Sequence, residues 1–335
     1  MKKIVFTIAL TIISLSGFAQ TADEAAAINK WIDVYAQLNE AKEWQKMIDT
    51  SNLCEKEAPN WEYLDYYLGV AYFNLNNYFK AINEMTDFIN KTDTILAAFM
   101  IRGDAYVHEK EYEAALLDYD KLLSANPKDV NALIAKAKVS QAQGDNAAYL
   151  ADLSKVLEVE PGNVDVLTNR GSIYAMNGDF QSAVNDFTAA INAKPSAELF
   201  FNRAKANFAL KTNESLTNTI DDCNKAEELG MKDKDLYQLR LVANQSVKNY
   251  PEVVKDYNNI LLINGEDLNM LLGRGVAKYQ MNDWKGAIED MDLVIAKDPK
   301  NIKAYQVRAT CKTKLKDTKG AQADAAKVKE LQGSK

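Results

Sequence analysis

Residues 164–196 read VDVLTNRGSIYAMNGDFQSAVNDFTAAINAKPS. Apolar side chains recur at three- and four-residue intervals over two stretches, which is the period of an amphipathic helix and not of a strand. Gly178-Asp179 interrupts the pattern and Pro195 ends it, and these residue types favour turns and helix ends. The segment therefore predicts two short helices joined by a tight turn, which together form a helical hairpin.

The same unit recurs along the chain. Pro127, Pro161 and Pro195 are each 34 residues apart, and Gly69 and Gly103 keep the same spacing. A fixed period of this length is typical of a solenoid, in which small copies of one unit stack and function resides on the stacked surface. Nine units can be placed, beginning near residues 28, 62, 96, 130, 164, 197, 234, 268 and 302.

The first twenty residues do not follow the repeat. Lys2 and Lys3 precede an apolar run over residues 4–15, and Ala19 stands beside the expected cleavage point. This order is typical of a secretory signal peptide, and the run is shorter than the roughly 20 residues of a membrane span. No cysteine lies near the cut, so no lipid anchor is expected. We expect residues 1–20 to be removed and a solenoid of residues 21–335 to be exported, to the periplasm or the periplasmic side of the outer membrane.

Composition narrows the classes of partner and cofactor. The chain has 40 Lys and Arg against 47 Asp and Glu, a net charge of −7. Binding to nucleic acid or to an anionic membrane requires basic groups that neutralise phosphates, so neither partner is expected. Cys54, Cys223 and Cys311 lack the spacing of metal ligands. We expect neither a metal nor any other cofactor.

Small residues recur at two positions when each unit is numbered from its first residue. Position 8 is Gly69, Gly103, Ala137, Gly171, Ala204, Gly275 or Ala309, and position 20 is Ala81, Ala115, Ala183, Ala287 or Ala321. Small side chains at facing points let two helices approach closely. With Tyr106 and Tyr174 at position 11, the pattern resembles the tetratricopeptide repeat family. The resemblance covers nearly all of residues 28–335 and implies an all-α fold, a right-handed α-solenoid of about nine helix-turn-helix units.

Arginine recurs at position 7 and aspartate at position 23. The pairs are Arg102 and Asp118, Arg170 and Asp186, Arg203 and Asp222, Arg240 and Asp256, Arg274 and Asp290, and Arg308 and Asp324. The interval is 16 residues except in the unit beginning at 197, where it is 19 and about three extra residues are expected in the turn near residues 211–213. The spacing predicts that the two positions face each other and pair, because a guanidinium binds a carboxylate through two hydrogen bonds. A ladder of arginines that binds anions is the alternative.

The resemblance also assigns a binding surface, because first helices in this family line a concave groove. The residues expected there are Tyr63, Tyr66, Tyr67, Phe73, Met100, Asp104, Asn169, Phe201, Asn202 and Lys205. The tyrosines offer rigid contact area, and the asparagines can hydrogen-bond the backbone of an extended peptide. Packing of the tyrosines against the first unit, which is degenerate because Tyr35 and Met47 replace small residues, is the alternative.

No catalytic set is apparent. The single histidine, His108, is placed in the turn of the third unit, and neither a Ser/His/Asp set nor a Gly-rich phosphate loop is present. The chain is therefore not expected to be an enzyme. The residues favour a scaffold of the bacterial cell envelope that binds a protein or an extended peptide in the groove. A carbohydrate-binding module whose aromatic rings stack on a glycan, and a structural spacer in an envelope complex, are the alternatives.

Overall fold

The computed structural model describes residues 21–333, so the expected signal peptide lies outside the described residues. Over the described range the chain forms nineteen α-helices and no strand. Consecutive helices pack on one another in pairs. These features confirm the prediction of an all-α repeat solenoid. The described chain divides into two compact units, residues 21–161 and residues 162–333, which are described separately. Each of these two units contains several of the 34-residue copies, which are called repeats from here on.

The first unit contains nine helices within its described part. They are α1 (Ala22–Ala41), α2 (Trp44–Asp49), α3 (Ser51–Glu57), α4 (Tyr63–Asn74), α5 (Tyr78–Lys91), α6 (Leu96–Glu109), α7 (Tyr112–Ala125), α8 (Val130–Ala142) and α9 (Asn146–Val159). In the first repeat the second helix is interrupted at Thr50, and Tyr35 donates a hydrogen bond to the carbonyl oxygen of Met47 at 2.8 Å. Two large buried side chains thus occupy the place of the small residues of the other repeats.

The second unit contains five helical hairpins over residues 162–333. They comprise α10 (Val164–Met176), α11 (Phe180–Ala193), α12 (Ala197–Leu210), α13 (Asn213–Glu228), α14 (Lys234–Ser246), α15 (Tyr250–Asn264), α16 (Leu268–Gln280), α17 (Trp284–Lys297), α18 (Ile302–Lys314) and α19 (Thr318–Gly333). The first helix of each hairpin begins at the residue from which its repeat was numbered in the sequence: 164, 197, 234, 268 or 302. No helix within residues 21–333 is long and apolar enough to cross a membrane.

Every hairpin reverses direction at position 15 of its repeat, where the backbone is left-handed. The residues there are Lys42, Asn76, Lys110, Gly144, Gly178, Lys211, Lys248, Asn282 and Lys316. In the third repeat, for example, the amide of Glu111 donates to the carbonyl oxygen of Tyr106 at 2.9 Å, which satisfies a carbonyl left open at the helix end. Lysine is not itself a turn signal, so in the five repeats with Lys at this position the residue there does not mark the turn.

The small residue at position 8 makes room for the side chain at position 24 of the facing helix. A methyl group added at Gly103 would lie 2.7 Å from the ring of Tyr119, and one added at Gly69 would lie 2.7 Å from the end of Met85. Where position 8 is Ala, the corresponding residue of the second helix is no aromatic ring: it is Leu153 for Ala137, Cys223 for Ala204, and Ala325 for Ala309. The small residue at position 8 thus lets a large side chain of the second helix pack closely in the hairpin.

The extra residues of the sixth repeat lie in a helix and not in the turn, which corrects the sequence prediction. Only Lys211 and Thr212 separate α12 from α13, as few residues as in other hairpins, and α13 has 16 residues. Thr212 and Ser215 form a reciprocal capping box at the start of α13. Relative to the paired aspartate, α13 thus begins about one helical turn earlier than the second helices of the other hairpins. Because three residues nearly complete a helical turn, Asp222 still lies on the face that meets α12.

Candidate functional site

In each unit the first helices of the repeats lie on the inner side. First helices of neighbouring repeats contact one another, as α4 does α6 in the first unit and α10 does α12 in the second. Second helices pack instead between the first helix of their own repeat and that of the next. The first helices are therefore closer together, and their free sides form what we call the inner face of each unit.

The recurring arginines are paired as predicted. In all six repeats Nε and Nη2 of the arginine donate hydrogen bonds to the carboxylate of the aspartate on the facing helix. In the third repeat, Nε of Arg102 lies 2.9 Å from Oδ2 of Asp118 and Nη2 lies 2.7 Å from Oδ1. The other five pairs are Arg170–Asp186, Arg203–Asp222, Arg240–Asp256, Arg274–Asp290 and Arg308–Asp324. These guanidinium groups already have carboxylate partners, so the pairs are structural and do not form an anion-binding ladder.

The third guanidinium nitrogen links neighbouring repeats. Nη1 of Arg203 donates to Thr188 at 3.0 Å, and Nη1 of Arg274 donates to Asn258 at 2.7 Å, each on the second helix of the preceding repeat. In the fourth repeat Lys136 replaces the arginine and bonds only across the repeats, to Asp120 at 2.6 Å. Each of these arginines thus joins both helices of its hairpin and stacks one hairpin on the next.

The tyrosines of the second repeat pack inside the first unit. Tyr66 is buried with its ring centroid 5.3 Å from that of Phe88, and Tyr63 lies 5.5 Å from the same ring. Tyr67 contacts two aromatic rings of the first repeat, Tyr35 at 5.5 Å and Trp61 at 5.7 Å. For Tyr67 the structure follows the alternative in which the cluster packs against the degenerate repeat. Tyr66 is buried, so its ring presents little surface on the inner face.

The other residues of the first unit that were expected in the groove also contact neighbouring side chains of the protein. Met100 is buried in the core between α6 and α7, and Asp104 accepts a hydrogen bond from Tyr119 at 2.7 Å. Burial raises the pKa of Asp104 above its usual range, although this hydrogen bond opposes the shift. Phe73 is half-buried with its ring centroid 5.5 Å from that of Tyr78.

His108 lies in the last turn of α6 and not in the turn that follows, which corrects its predicted place. Its imidazole is exposed and stacks in parallel on the ring of Tyr78, with centroids 4.1 Å apart. No base–nucleophile pair is formed there. The stack therefore gives the histidine a packing role at the end of the hairpin.

The expected residues of the second unit lie together on its inner face. Asn169 on α10 is exposed, and Asn202 on α12 is half-buried. Within residues 21–333 neither side-chain amide has a hydrogen-bond partner. Lys205, one turn after Asn202, is exposed with its Nζ 4.8 Å from the ring centroid of Phe201. These four side chains combine apolar surface with polar groups that remain available.

A cavity of about 330 Å³ opens beside these residues between α10, α11 and α12. It is lined by Ser172, Ala175, Met176, Phe180, Phe187, Asn202, Lys205 and Ala206. Sequence reasoning missed Met176 and Phe180. Met176 stands at position 13 of its repeat, on the first helix whose free side forms the inner face, and could have been found from the sequence. Phe180 begins a second helix and reaches the cavity only because the hairpin folds back.

Residues 21–333 contain no group of three or more His, Cys, Asp or Glu side chains arranged to hold an ion. Cys54, Cys223 and Cys311 are all buried and free. Burial raises the pKa of the Cys223 thiol to about 12, which keeps it protonated and unreactive at neutral pH.

Comparison with known proteins agrees with this architecture. Residues 66–130 and 134–198 match the family model described as tetratricopeptide repeat (TPR). The C-terminal part of a TPR repeat-containing protein from Cytophaga hutchinsonii is 18% identical, with a TM-score of 0.60 over 72% of this chain and 98% of that one. A tetratricopeptide repeat protein from Parabacteroides merdae ATCC 43184 is 15% identical, with a TM-score of 0.41 over 81% and 99%. No curated protein matches the sequence.

The fold thus defines a helical-repeat solenoid in which the first helices of each unit present an inner face. Residues 66–130 and 134–198 match the tetratricopeptide repeat family, and the chain shares the fold of a solved repeat protein of that kind. Function in such a fold depends on which side chains the repeats present, and not on the fold itself.

Proposed function

We propose that this protein is a non-enzymatic scaffold that binds an extended segment of another protein on the inner face of its second unit. The observation that carries the proposal is a pair of side-chain amides without a hydrogen-bond partner among residues 21–333, Asn169 and Asn202, of which Asn202 lines an open apolar cavity. An extended peptide exposes backbone donors and acceptors along its length, and a side-chain amide can meet both kinds. The cavity would receive a side chain of the same segment.

The two alternative functions lack this support. Stacking on a sugar ring needs an exposed aromatic face, and Tyr66 and Tyr67 direct their rings into the protein core. A structural spacer would be expected to fill the groove with its own side chains, whereas the cavity beside Asn202 is open. Peptide binding is the function that best accounts for both features.

The place of action that we propose is the cell envelope, reached by export through the signal peptide of residues 1–20. The apolar run after Lys2 and Lys3 supports this proposal. Sequencing the N-terminus of protein isolated from native cells tests it. A mature chain beginning near residue 20 or 21 is expected, and a cytoplasmic protein that retains Met1 or Lys2 would refute it.

Site-specific photocrosslinking in native cells tests the binding face. A photoreactive amino acid replaces Asn169 in one variant and Asn192, an exposed asparagine on the second helix α11, in the matched control. We expect a discrete protein adduct from position 169 that is absent from position 192. Identical adducts at both positions, or none at position 169, would contradict binding on the inner face.

A further inference from the structure

The cavity of the second unit has an apolar wall that extends to the protein surface. Phe187 is almost fully buried at its base, whereas Met176 at its mouth is 71% exposed. Covering Met176 and the cavity behind it would remove apolar area from water, which favours an apolar ligand group at this point. Met176 is also flexible and can adapt to an incoming side chain. The cavity therefore suits a bulky apolar group.

The charge beside the cavity is a single lysine. Positions 5, 6, 9, 12 and 13 of α10, α12, α14 and α16 form the middle of the inner face, and Lys205 is the only charged side chain among them. Acidic residues stand only at position 2, on one edge of the face: Asp165, Glu198 and Asp235. The chain as a whole has a net charge of −7. The middle positions of the inner face, by contrast, carry no carboxylate and a single positive charge, that of Lys205.

Lys205 is held in place without a carboxylate partner among residues 21–333. Its ammonium group lies over the ring of Phe201 at 4.8 Å. The lysines at position 11 of later repeats differ, since Lys278 pairs with Asp290 at 3.0 Å and Lys312 with Asp324 at 2.9 Å. The aromatic ring thus orients an ammonium whose charge remains available for a ligand.

We infer that the inner face of the second unit selects peptides in which a bulky apolar side chain lies within two residues of an Asp or Glu. The apolar group enters the cavity beside Met176 and Phe180, the carboxylate pairs with Lys205, and Asn202 binds the backbone between them. Beside an apolar wall this ion pair is screened less than in bulk water, so charge determines which partner binds. This inference rests on the proposed function and specifies its ligand.

Selection from a library of random peptides, displayed with both ends blocked, tests the inference on the purified protein. The wild type is compared with Lys205→Glu, Lys205→Arg and Met176→Ala. The matched control is Lys285→Glu, which reverses an exposed, unpaired lysine on the second helix α17. Lys205 and Lys285 are both exposed, so neither reversal disturbs the core.

The wild type is expected to enrich peptides with an apolar residue next to an acidic one. Lys205→Glu should weaken their binding by about tenfold or more and select basic residues instead, because the sign of the contact is reversed. Lys205→Arg keeps the positive charge and should retain the preference for an acidic residue, Lys285→Glu should bind as the wild type does, and Met176→Ala should lose the apolar preference. Enriched peptides without an acidic residue, or ones insensitive to Lys205→Glu, would overturn the inference but leave peptide binding intact. No enrichment at all would overturn both.

Discussion

The pair Arg240–Asp256 offers the sharpest test of how the repeats are held together. Both side chains are fully buried, with Nη2 of Arg240 2.7 Å from an oxygen of Asp256. Nη1 of the same arginine donates to Asn224 at 2.8 Å and to Glu227 at 2.6 Å. Arg240 therefore has a second carboxylate partner, Glu227, in addition to Asp256. Replacing Arg240 and replacing Asp256 should thus lower the free energy of unfolding by different amounts.

Replacing Arg240 with Met leaves the carboxylate of Asp256 buried with only the Asn244 amide nearby, at 3.5 Å. Loss of one partner of a buried pair costs about 3–5 kcal/mol in the free energy of unfolding. Asp256→Leu leaves Arg240 paired with Glu227, so we expect a smaller loss of about 2 kcal/mol. The double variant removes the fully buried carboxylate of Asp256 together with its partner and leaves only the partly exposed Glu227 without its arginine, so it should be more stable than Arg240→Met alone.

Urea unfolding followed by circular dichroism measures these differences, with the m-value checked in each variant. The expected coupling between the two substitutions is about 2–3 kcal/mol. Arg308→Met is the matched control, because Asp324 keeps Lys312 at 2.9 Å and should lose less. Additive losses within about 0.5 kcal/mol, or a double variant less stable than Arg240→Met, would refute the reasoning.

Two further predictions concern single positions of the first unit. In the second repeat Leu68 replaces the arginine, and burial, with Asp65 and Asp87 adding to it, raises the pKa of Glu84 to about 7. This folded-state pKa lies above that of the unfolded chain, so ionisation of Glu84 destabilises the fold as the pH rises from about 4.5 to 7. Glu84→Gln should therefore raise the free energy of unfolding by about 1–3 kcal/mol at pH 8 and leave it unchanged at pH 4. An equal gain at both pH values in urea unfolding would exclude this cause. Gly103→Ala should cost about 1–3 kcal/mol because its methyl group meets the rigid ring of Tyr119, whereas Gly69→Ala should cost less since Met85 can move. Thermal melting that shows equal losses for the two would contradict the packing account.

Local regularity made much of the fold predictable from sequence. The repeat period places the hairpins because each one needs the same helix pattern, turn and small residue. The Arg102–Asp118 spacing predicts a pair because both residues lie on facing helices of one hairpin. The candidate site was only partly predictable: Asn202 and Lys205 follow from their repeat positions, while Phe180 comes from a second helix.

The sequence by itself determined the repeat unit, its hairpin and the pairing of arginine with aspartate, since each depends on residues within 34 positions of one another. Only the tertiary structure decided which side chains remain available. Tyr67 occupies a groove position, yet its ring is taken up by Tyr35 and Trp61 of the neighbouring repeat. Lys205 stays available because no carboxylate of the described chain reaches it. The physical reason is that exposure depends on what packs across the repeats, whereas helix and turn formation depend on neighbours in sequence.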